Sequence, residues 1–358
     1  MARFHSLTIA DIRRETPDSV SLAFAVPAPL RAAFSFKAGQ YLTLRAQIGG
    51  AEQRRCYSIC SGLDDKELRV AVKRVEGGRF SGFANDALRP GDMLDAMPPM
   101  GNFGVTPQPG AARRFAAFAA GSGITPILSI AKTVLAREPG SHFALFYGNR
   151  ASGGIMFKDA LEDMKDSAMG RLAVHHILSR EAQDISLLHG RLDGAKALAL
   201  LATAGPLAAL DHVFLCGPAA MTADIAPALA AAGVETARIH TELFTPAKDA
   251  SAAPLEAAQP LQPQTAGARL TLRIDGAAYA IAMRLEETVL EAAQRHGLDM
   301  PWSCRAGMCC TCRARLVEGA AAMDQNFSLE AWELQAGFVL TCQLRAQSPA
   351  ITVDFDAM

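Results

Sequence analysis

Four cysteines near the end of the chain have the types and spacing to do chemistry. Cys309 follows Cys304 after four residues, Cys312 follows after two more, and Cys342 comes after another 29. Four thiolates at these intervals can converge on the two irons of a 2Fe–2S cluster. Small residues between them let backbone N–H groups approach the sulfurs, and Ala306, Gly307 and Thr311 suit such a loop. A zinc ribbon would show paired C-x2-C knuckles, and no His stands near enough to make a Rieske centre. Of the 8 cysteines, five fall in the last sixty residues and four of those within nine positions, which is clustering around a metal and not stapling of loops. Cys310 does not fit the ligand spacing. It reads as a small loop residue pointing away from the irons, with a ligand swap as the alternative.

Four further segments have cofactor chemistry in them. In RRCYSIC, on an expected strand, Arg55 can meet a pyrophosphate, Tyr57 can pack on an isoalloxazine, and Ser58 can reach the reactive flavin nitrogen, with Cys56 between them. GGRFSGFAND follows. Gly77 and Gly78 permit close backbone approach, and Ser81 with the amides after it opens a helix able to hold phosphate; an ordinary turn and N-cap is the competing explanation. AAGSGITPIL sits between a strand and a helix. Gly121 and Gly123 make a tight turn free of side chains, and Pro126 suits the first helical turn, although G-x-G-x-x-P departs from the simple Rossmann fingerprint. CGPAAM puts Cys216, Gly217 and Pro218 at the carboxyl end of a later strand, where ligands bind in open α/β sheets; a packing role for Cys216 is equally compatible.

These segments need elements to hold them. The chain has 358 residues, enough for two or three domains, and a net charge of -1. With 50% apolar and 20% charged residues it is globular, and its charge balance excludes a broadly basic nucleic-acid surface. No unbroken apolar run reaches the length of a membrane span, and the start lacks a signal-peptide pattern, so the cytoplasm is expected. Residues 1–109 show alternating strands (SVSLAFAV, QYLTLRA, ELRVAVKRV) punctuated by glycines, which predicts an antiparallel β-barrel. Residues 110–246 alternate short apolar strands with helical patterns, which predicts a doubly wound α/β sheet. Residues 247–267, rich in Ala, Pro and Gln, read as a linker, and residues 268–358 open with a hairpin and a helix before the cysteines. His175 and His176 adjoin on one strand and so face opposite ways, which argues against a shared metal.

Together RRCYS, GGRFS, AAGSGITP, YGNR, CGPAAM and the cysteine spacing resemble the ferredoxin–NADP reductase superfamily fused to a plant-type ferredoxin. The order of parts is shared with the phthalate dioxygenase reductase class and, more closely, with the reductase subunits of phenylacetyl-CoA epoxidases. The resemblance implies a multidomain chain: a flavin β-barrel, an α/β nicotinamide domain and an α+β β-grasp 2Fe–2S domain. It implies FAD at Arg55, Tyr57 and Ser58, at Val72, Lys73 and Arg74, and at Gly78, Arg79, Phe80 and Ser81. It implies that Thr125 approaches flavin and nicotinamide, that Cys216 adjoins the nicotinamide, and that Glu242 and Phe244 lie near the flavin. Ser58, Cys216 and Glu242 are then the catalytic candidates. Ser179, Arg180 and Arg191 resemble a clamp for a 2′-phosphate, which predicts NADPH; the alternative is that both arginines solvate a sheet edge. The implied partners are diiron oxygenase subunits that epoxidise phenylacetyl-CoA. The rival acceptor is a ring-hydroxylating or demethylating oxygenase, with FMN possible as the flavin, and a non-catalytic redox sensor is the rival of another class. Cys310 and the bulky Met308 depart from the family pattern. Residues 268–358 carry a net charge of -3 against +2 elsewhere, an asymmetry that suits docking of a ferredoxin module.

Overall fold

A computed structural model of the chain describes residues 3–244, 267–284, 286–329 and 331–357. The expected linker therefore lies outside the described residues, except for Gly267. The chain divides into two compact bodies, one holding chiefly the N-terminal barrel and the parallel sheet, the other chiefly the C-terminal sheet. No helix among the described residues is long and apolar enough to cross a membrane.

The first body begins with β1 (His5–Thr16), β2 (Ser19–Ala25), β3 (Tyr41–Ile48), β4 (Ala51–Ser58) and β5 (Leu68–Lys73), then α1 (Arg79–Asp86) and β6 (Met93–Ala96). They form one sheet in the order β4-β3-β6-β1-β2-β5. A bridge between Ile59, just past β4, and Val70 on β5 joins its two edges and closes the barrel. Alternation drives the fold: Leu7, Ile9, Leu22, Leu42, Leu44, Val70 and Val72 point inward and are buried together.

The parallel sheet follows as β7 (Arg114–Ala120), α2 (Ile124–Arg137), β8 (His142–Asn149), α3 (Lys158–Ser167), β9 (Leu172–Leu178), α4 (Gly194–Ala204), β10 (His212–Gly217), α5 (Ala219–Ala231) and β11 (Ile239–Leu243). The strand order is β11-β10-β7-β8-β9. The chain starts in the middle at β7, builds outward to β9, and returns to lay β10 on the other side. That reversal between β7 and β10 is the topological switch point, where such sheets open a crevice at the carboxyl ends of the strands. Phe115, Ala117 and Ala119 of β7 pack with α2, while Ala116 and Phe118 pack with α4 and α5, so helices cover both faces. Ala38, Cys60, Ala71 and Phe103 of the barrel share the α2-side core, which welds barrel and sheet.

The second body contains β12 (Ala268–Ile274), β13 (Ala277–Met283), α6 (Val289–Arg295), β14 (Arg313–Glu318), β15 (Ala321–Met323), α7 (Ala331–Gln335), β16 (Phe338–Leu340), β17 (Leu344–Ala346) and β18 (Ala350–Asp354). Its mixed sheet runs β13-β12-β18-β14-β16, with β12 and β18 parallel, as in a β-grasp. Asp275 and Gly276, at φ 51° and 76°, make the two-residue turn of the expected β12–β13 hairpin. Thr288 and Glu291 close a capping box at the start of α6.

Candidate functional site

The barrel residues expected at the flavin fall on two neighbouring stretches. Tyr57 is partly exposed on β4, with the buried Phe80 ring 5.5 Å away beneath it. Phe80 and Val72 belong to the barrel core, so their side chains support the surface and do not form it. Lys73 pairs with Asp18 at 3.5 Å and Arg74 with Asp86, so both cations already have acidic partners. Arg55, partly buried, donates to the Arg54 carbonyl at 2.8 Å, and Arg79 is the exposed first residue of α1. The Ser81 hydroxyl is consumed locally: it accepts from Val75 N at 3.0 Å and donates to Gly78 O at 3.2 Å. Ser81 thus shapes the loop, and what that loop can offer a phosphate is backbone amide. A Cβ on Gly78 would lie 2.5 Å from the Ser81 hydroxyl and 3.0 Å from Val75 Cβ, so a side chain there would displace the Ser81 hydroxyl from its loop contacts. As the N-cap of α1, Gly78 leaves the first helical amides without a side-chain acceptor.

The three catalytic candidates meet. Ser58 Oγ donates to Glu242 Oε2 at 3.2 Å, and Cys216 Sγ lies 3.9 Å from the same oxygen. Parallel pairing sets this up, because Cys216 on β10 is in register with Glu242 on β11, while Ser58 ends β4. Glu242 keeps some exposure along its length, yet burial of its carboxyl pushes it up to about 8. Burial likewise holds the Cys216 thiol well above its ordinary value. Phe244 follows, its N–H donating to Gly217 O at 3.2 Å.

The Gly-rich turn is fitted against the same strand end. A Cβ on Gly123 would lie 2.1 Å from Cys216 O and 3.0 Å from Gly217 N, which only glycine avoids. Thr125, buried beside it, donates to Ser122 O at 3.0 Å, and Pro126 is buried in the first turn of α2. Pro218 caps α5 just beyond. The expected nucleotide clamp lies at the far edge of the sheet. Leu178 bridges His189 and accepts from Gly190 N at 2.9 Å, so Ser179–Arg180 and Arg191 run side by side. Arg180 N donates to Arg150 O at 2.8 Å, which adds a third guanidinium that the sequence motifs had not singled out. Arg150, Arg180 and Arg191 are all exposed, and no acidic partner appears for them among the described residues. Their place in Y-G-N-R and at adjoining strand ends was the available signal.

The second body gathers the cysteines. Cys304 meets Cys309, and Cys312 meets Cys342, none of them in a disulfide. Two pairs of thiols are what two irons, each taking two thiolates, would require. Ala306 N and Met308 N each lie 3.4 Å from Cys304 Sγ, Cys304 N lies 3.5 Å from Cys309 Sγ, and Gln343 Nε2 lies 3.7 Å from Cys342 Sγ. These donors fit a negatively charged cluster, so the residues suit the group. Met308 contributes through its amide despite its bulk. Gln343, which also donates to Arg305 O at 2.9 Å, was missed in the sequence although it adjoins a ligand position. Cys310 adopts φ 51°; its thiol meets Ser328, and burial pushes it up to about 11.

Comparison with known proteins agrees with this division. Residues 6–104 match the oxidoreductase FAD-binding domain, residues 118–226 the oxidoreductase NAD-binding domain, and residues 272–347 the 2Fe-2S iron-sulfur cluster binding domain. The chain is 45% identical to a subunit of the 1,2-phenylacetyl-CoA epoxidase of Escherichia coli K12, over 100% of this chain and 99% of that one. It is 35% identical to the ferredoxin reductase component of 3-ketosteroid-9-alpha-monooxygenase from Mycobacterium tuberculosis H37Rv, over 98% and 95% of the two chains. Phthalate dioxygenase reductase shares the fold with a TM-score of 0.58 at 24% identity, covering 98% of each chain. A type IV self-sufficient cytochrome P450 monooxygenase shares it at 0.69 and 20% identity, over 98% of this chain and 41% of that one. The chain therefore belongs to the ferredoxin–NADP reductase superfamily, in the group that joins an FAD barrel and a nicotinamide domain to a C-terminal 2Fe–2S ferredoxin domain, and it is an NAD(P)H-dependent electron-transfer oxidoreductase.

Proposed function

We propose that this chain is the electron-supplying subunit of a phenylacetyl-CoA epoxidase, acting in the cytoplasm and passing electrons from NADPH to diiron oxygenase subunits. The observation that carries this partner is the end-to-end 45% identity to a protein named as a subunit of 1,2-phenylacetyl-CoA epoxidase. The working units are residues 1–109, 110–246 and 268–358. When bound, FAD accepts a hydride as an electron pair and the cluster passes electrons on singly. The chain's own residues bind, orient and supply a proton. Cys304, Cys309, Cys312 and Cys342 hold the irons, with the amides of Ala306 and Met308 offsetting sulfur charge. Tyr57 lies over Phe80 as a flat support for the flavin, and the first amides of α1 take its pyrophosphate. With its carboxyl near 8, Glu242 is mostly protonated at neutral pH. Ser58 Oγ, which donates to Glu242 Oε2 at 3.2 Å, can pass its own proton on and be reprotonated by the Glu242 carboxyl once the two groups exchange donor and acceptor roles. Cys216, buried and thiol at neutral pH, excludes water from the same spot.

The preference for NADPH rests on Arg180 and Arg191 beside Ser179, joined by Arg150. Guanidiniums without acidic partners are the groups suited to a 2′-phosphate. Arg180→Ala should lower the NADPH-to-NADH ratio of kcat/KM by roughly 10- to 100-fold. An unchanged ratio would remove the clamp. For the partner, the decisive assay is turnover of phenylacetyl-CoA with the purified oxygenase subunits. Fast cytochrome c reduction without coupled epoxidation would assign the chain to another oxygenase.

A further inference from the structure

Tyr147, on β8, is fully buried, and its hydroxyl donates to Gly121 O at 2.8 Å. The same hydroxyl accepts from the Met156 backbone N–H and lies against Asn149; Phe would fill nearly the same volume but leave the Gly121 carbonyl with one donor fewer. Gly121 opens the Gly-rich turn at φ 55°, and a Cβ there would meet nothing within 4 Å. Packing therefore does not hold this residue in place on that side. Its carbonyl has two donors, Ile124 N from within the turn and the Tyr147 hydroxyl from the neighbouring strand. We propose that Tyr147 is a positioning residue for the dinucleotide, its hydroxyl clamping the Gly121 carbonyl so that the next amide faces the pyrophosphate.

The argument turns on peptide geometry. The Gly121–Ser122 peptide is trans, so its C=O and N–H point in opposite directions. With the oxygen drawn onto Tyr147, beneath the sheet face that α2 covers, the Ser122 N–H is directed away from the core. The turn itself joins β7 to α2 at the carboxyl end of the sheet, beside the switch point between β7 and β10. Release of the carbonyl would let this peptide rotate about a glycine that has no side chain to stop it. A second observation places unmet polar capacity at the same end of β8. Asn149 lies two residues beyond Tyr147 on the same face and comes close to its hydroxyl; it is 9% exposed, yet its buried Nδ2 completes no hydrogen bond among the described residues. A buried amide without an acceptor is costly, and an oxygen of a bound nucleotide would satisfy it.

The inference rests on dinucleotide binding and not on a preference for NADPH. The test uses the full chain loaded with FAD and cluster, comparing wild type with Tyr147→Phe by calorimetric titration. The ligands are NADP+, NAD+, 2′-phospho-ADP-ribose and ADP-ribose, which contain the pyrophosphate, and 2′-AMP and AMP, which lack it. Loss of one hydrogen bond should weaken the first four by roughly 3- to 10-fold and leave the last two within about twofold. KM should rise by the same factor with kcat at saturation unchanged. Equal affinities for all ligands in both proteins would overturn the assignment. So would a uniform loss across both sets with a fallen urea midpoint, which would mark the hydroxyl as a prop for the fold alone. Should Tyr147→Phe fail to load FAD, Gly121→Ala perturbs the same peptide from the other side and must show the same selective loss. A wild type that binds 2′-phospho-ADP-ribose no better than ADP-ribose would refute the NADPH preference and leave this comparison intact.

Discussion

Replacing Glu242 by Gln should make the protein more stable and less active at once. The carboxyl is pushed from 4.5 to about 8 by burial, against hydrogen bonds from Ser58 and Cys216 that pull the other way. The folded chain therefore holds this proton more tightly than the unfolded chain does. Stability linked to it is complete below about pH 4.5 and is lost as the pH rises through about 8. A carboxyl moved over that range corresponds to about 5 kcal/mol. Glu242 keeps partial exposure along its length, so solvent screening reduces this to about 2 kcal/mol. Gln has nearly the same shape, accepts from Ser58, and never ionises. Urea denaturation of the FAD-loaded protein at pH 5.5, 7 and 9 is the appropriate assay. The stability of Glu242→Gln relative to wild type should climb with pH, reaching about 2 kcal/mol in its favour at pH 9. Cytochrome c reduction by the variant should fall by roughly 100-fold at pH 7, because the substitution removes the proposed proton source. A stability difference that stays flat between pH 5.5 and 9 would refute the reasoning, for the carboxyl would then not titrate in that interval.

Two other substitutions separate roles that lie close together. Cys312→Ser should lose the visible absorbance of the cluster and collapse cytochrome c reduction, while NADPH still reduces the flavin; Cys310→Ser should keep the cluster and change stability by no more than about 1 kcal/mol. Iron retained in the first and lost in the second would invert the ligand assignment. Gly123→Ala drives a Cβ to 2.1 Å from a backbone carbonyl that cannot swing aside, so the turn and the end of β10 must separate. Overpacking of this kind costs about 1–3 kcal/mol, and KM for NADPH should rise by more than tenfold with FAD content unchanged, as steady-state kinetics and flavin extraction would record.

Much of this protein was legible in the chain because the features concerned are local. Cys304, Cys309 and Cys312 lie in one short loop, so their spacing, with Cys342 after 29 residues, is enough to suggest a 2Fe–2S ligand set. Alternating apolar positions in SVSLAFAV and the repeated strand–helix rhythm after residue 110 likewise report their own elements, since side-chain period follows directly from backbone geometry. What remained open depended on register and crossover. Packing and function fit Cys216 equally in the sequence, and only parallel pairing sets it level with Glu242, whose carboxyl also meets Ser58. The proximity of Arg180 to Arg191 was supposed from family likeness, but the pairing of Leu178 with His189 is what creates it. The need for glycine at 123 comes from the Cys216 carbonyl, supplied by a strand on the far side of the switch point. Tyr147 was an ordinary strand aromatic in the sequence, and only adjacency of β8 to β7 puts its hydroxyl on Gly121. Contacts of this kind carry no local periodicity, so tertiary structure alone decides them.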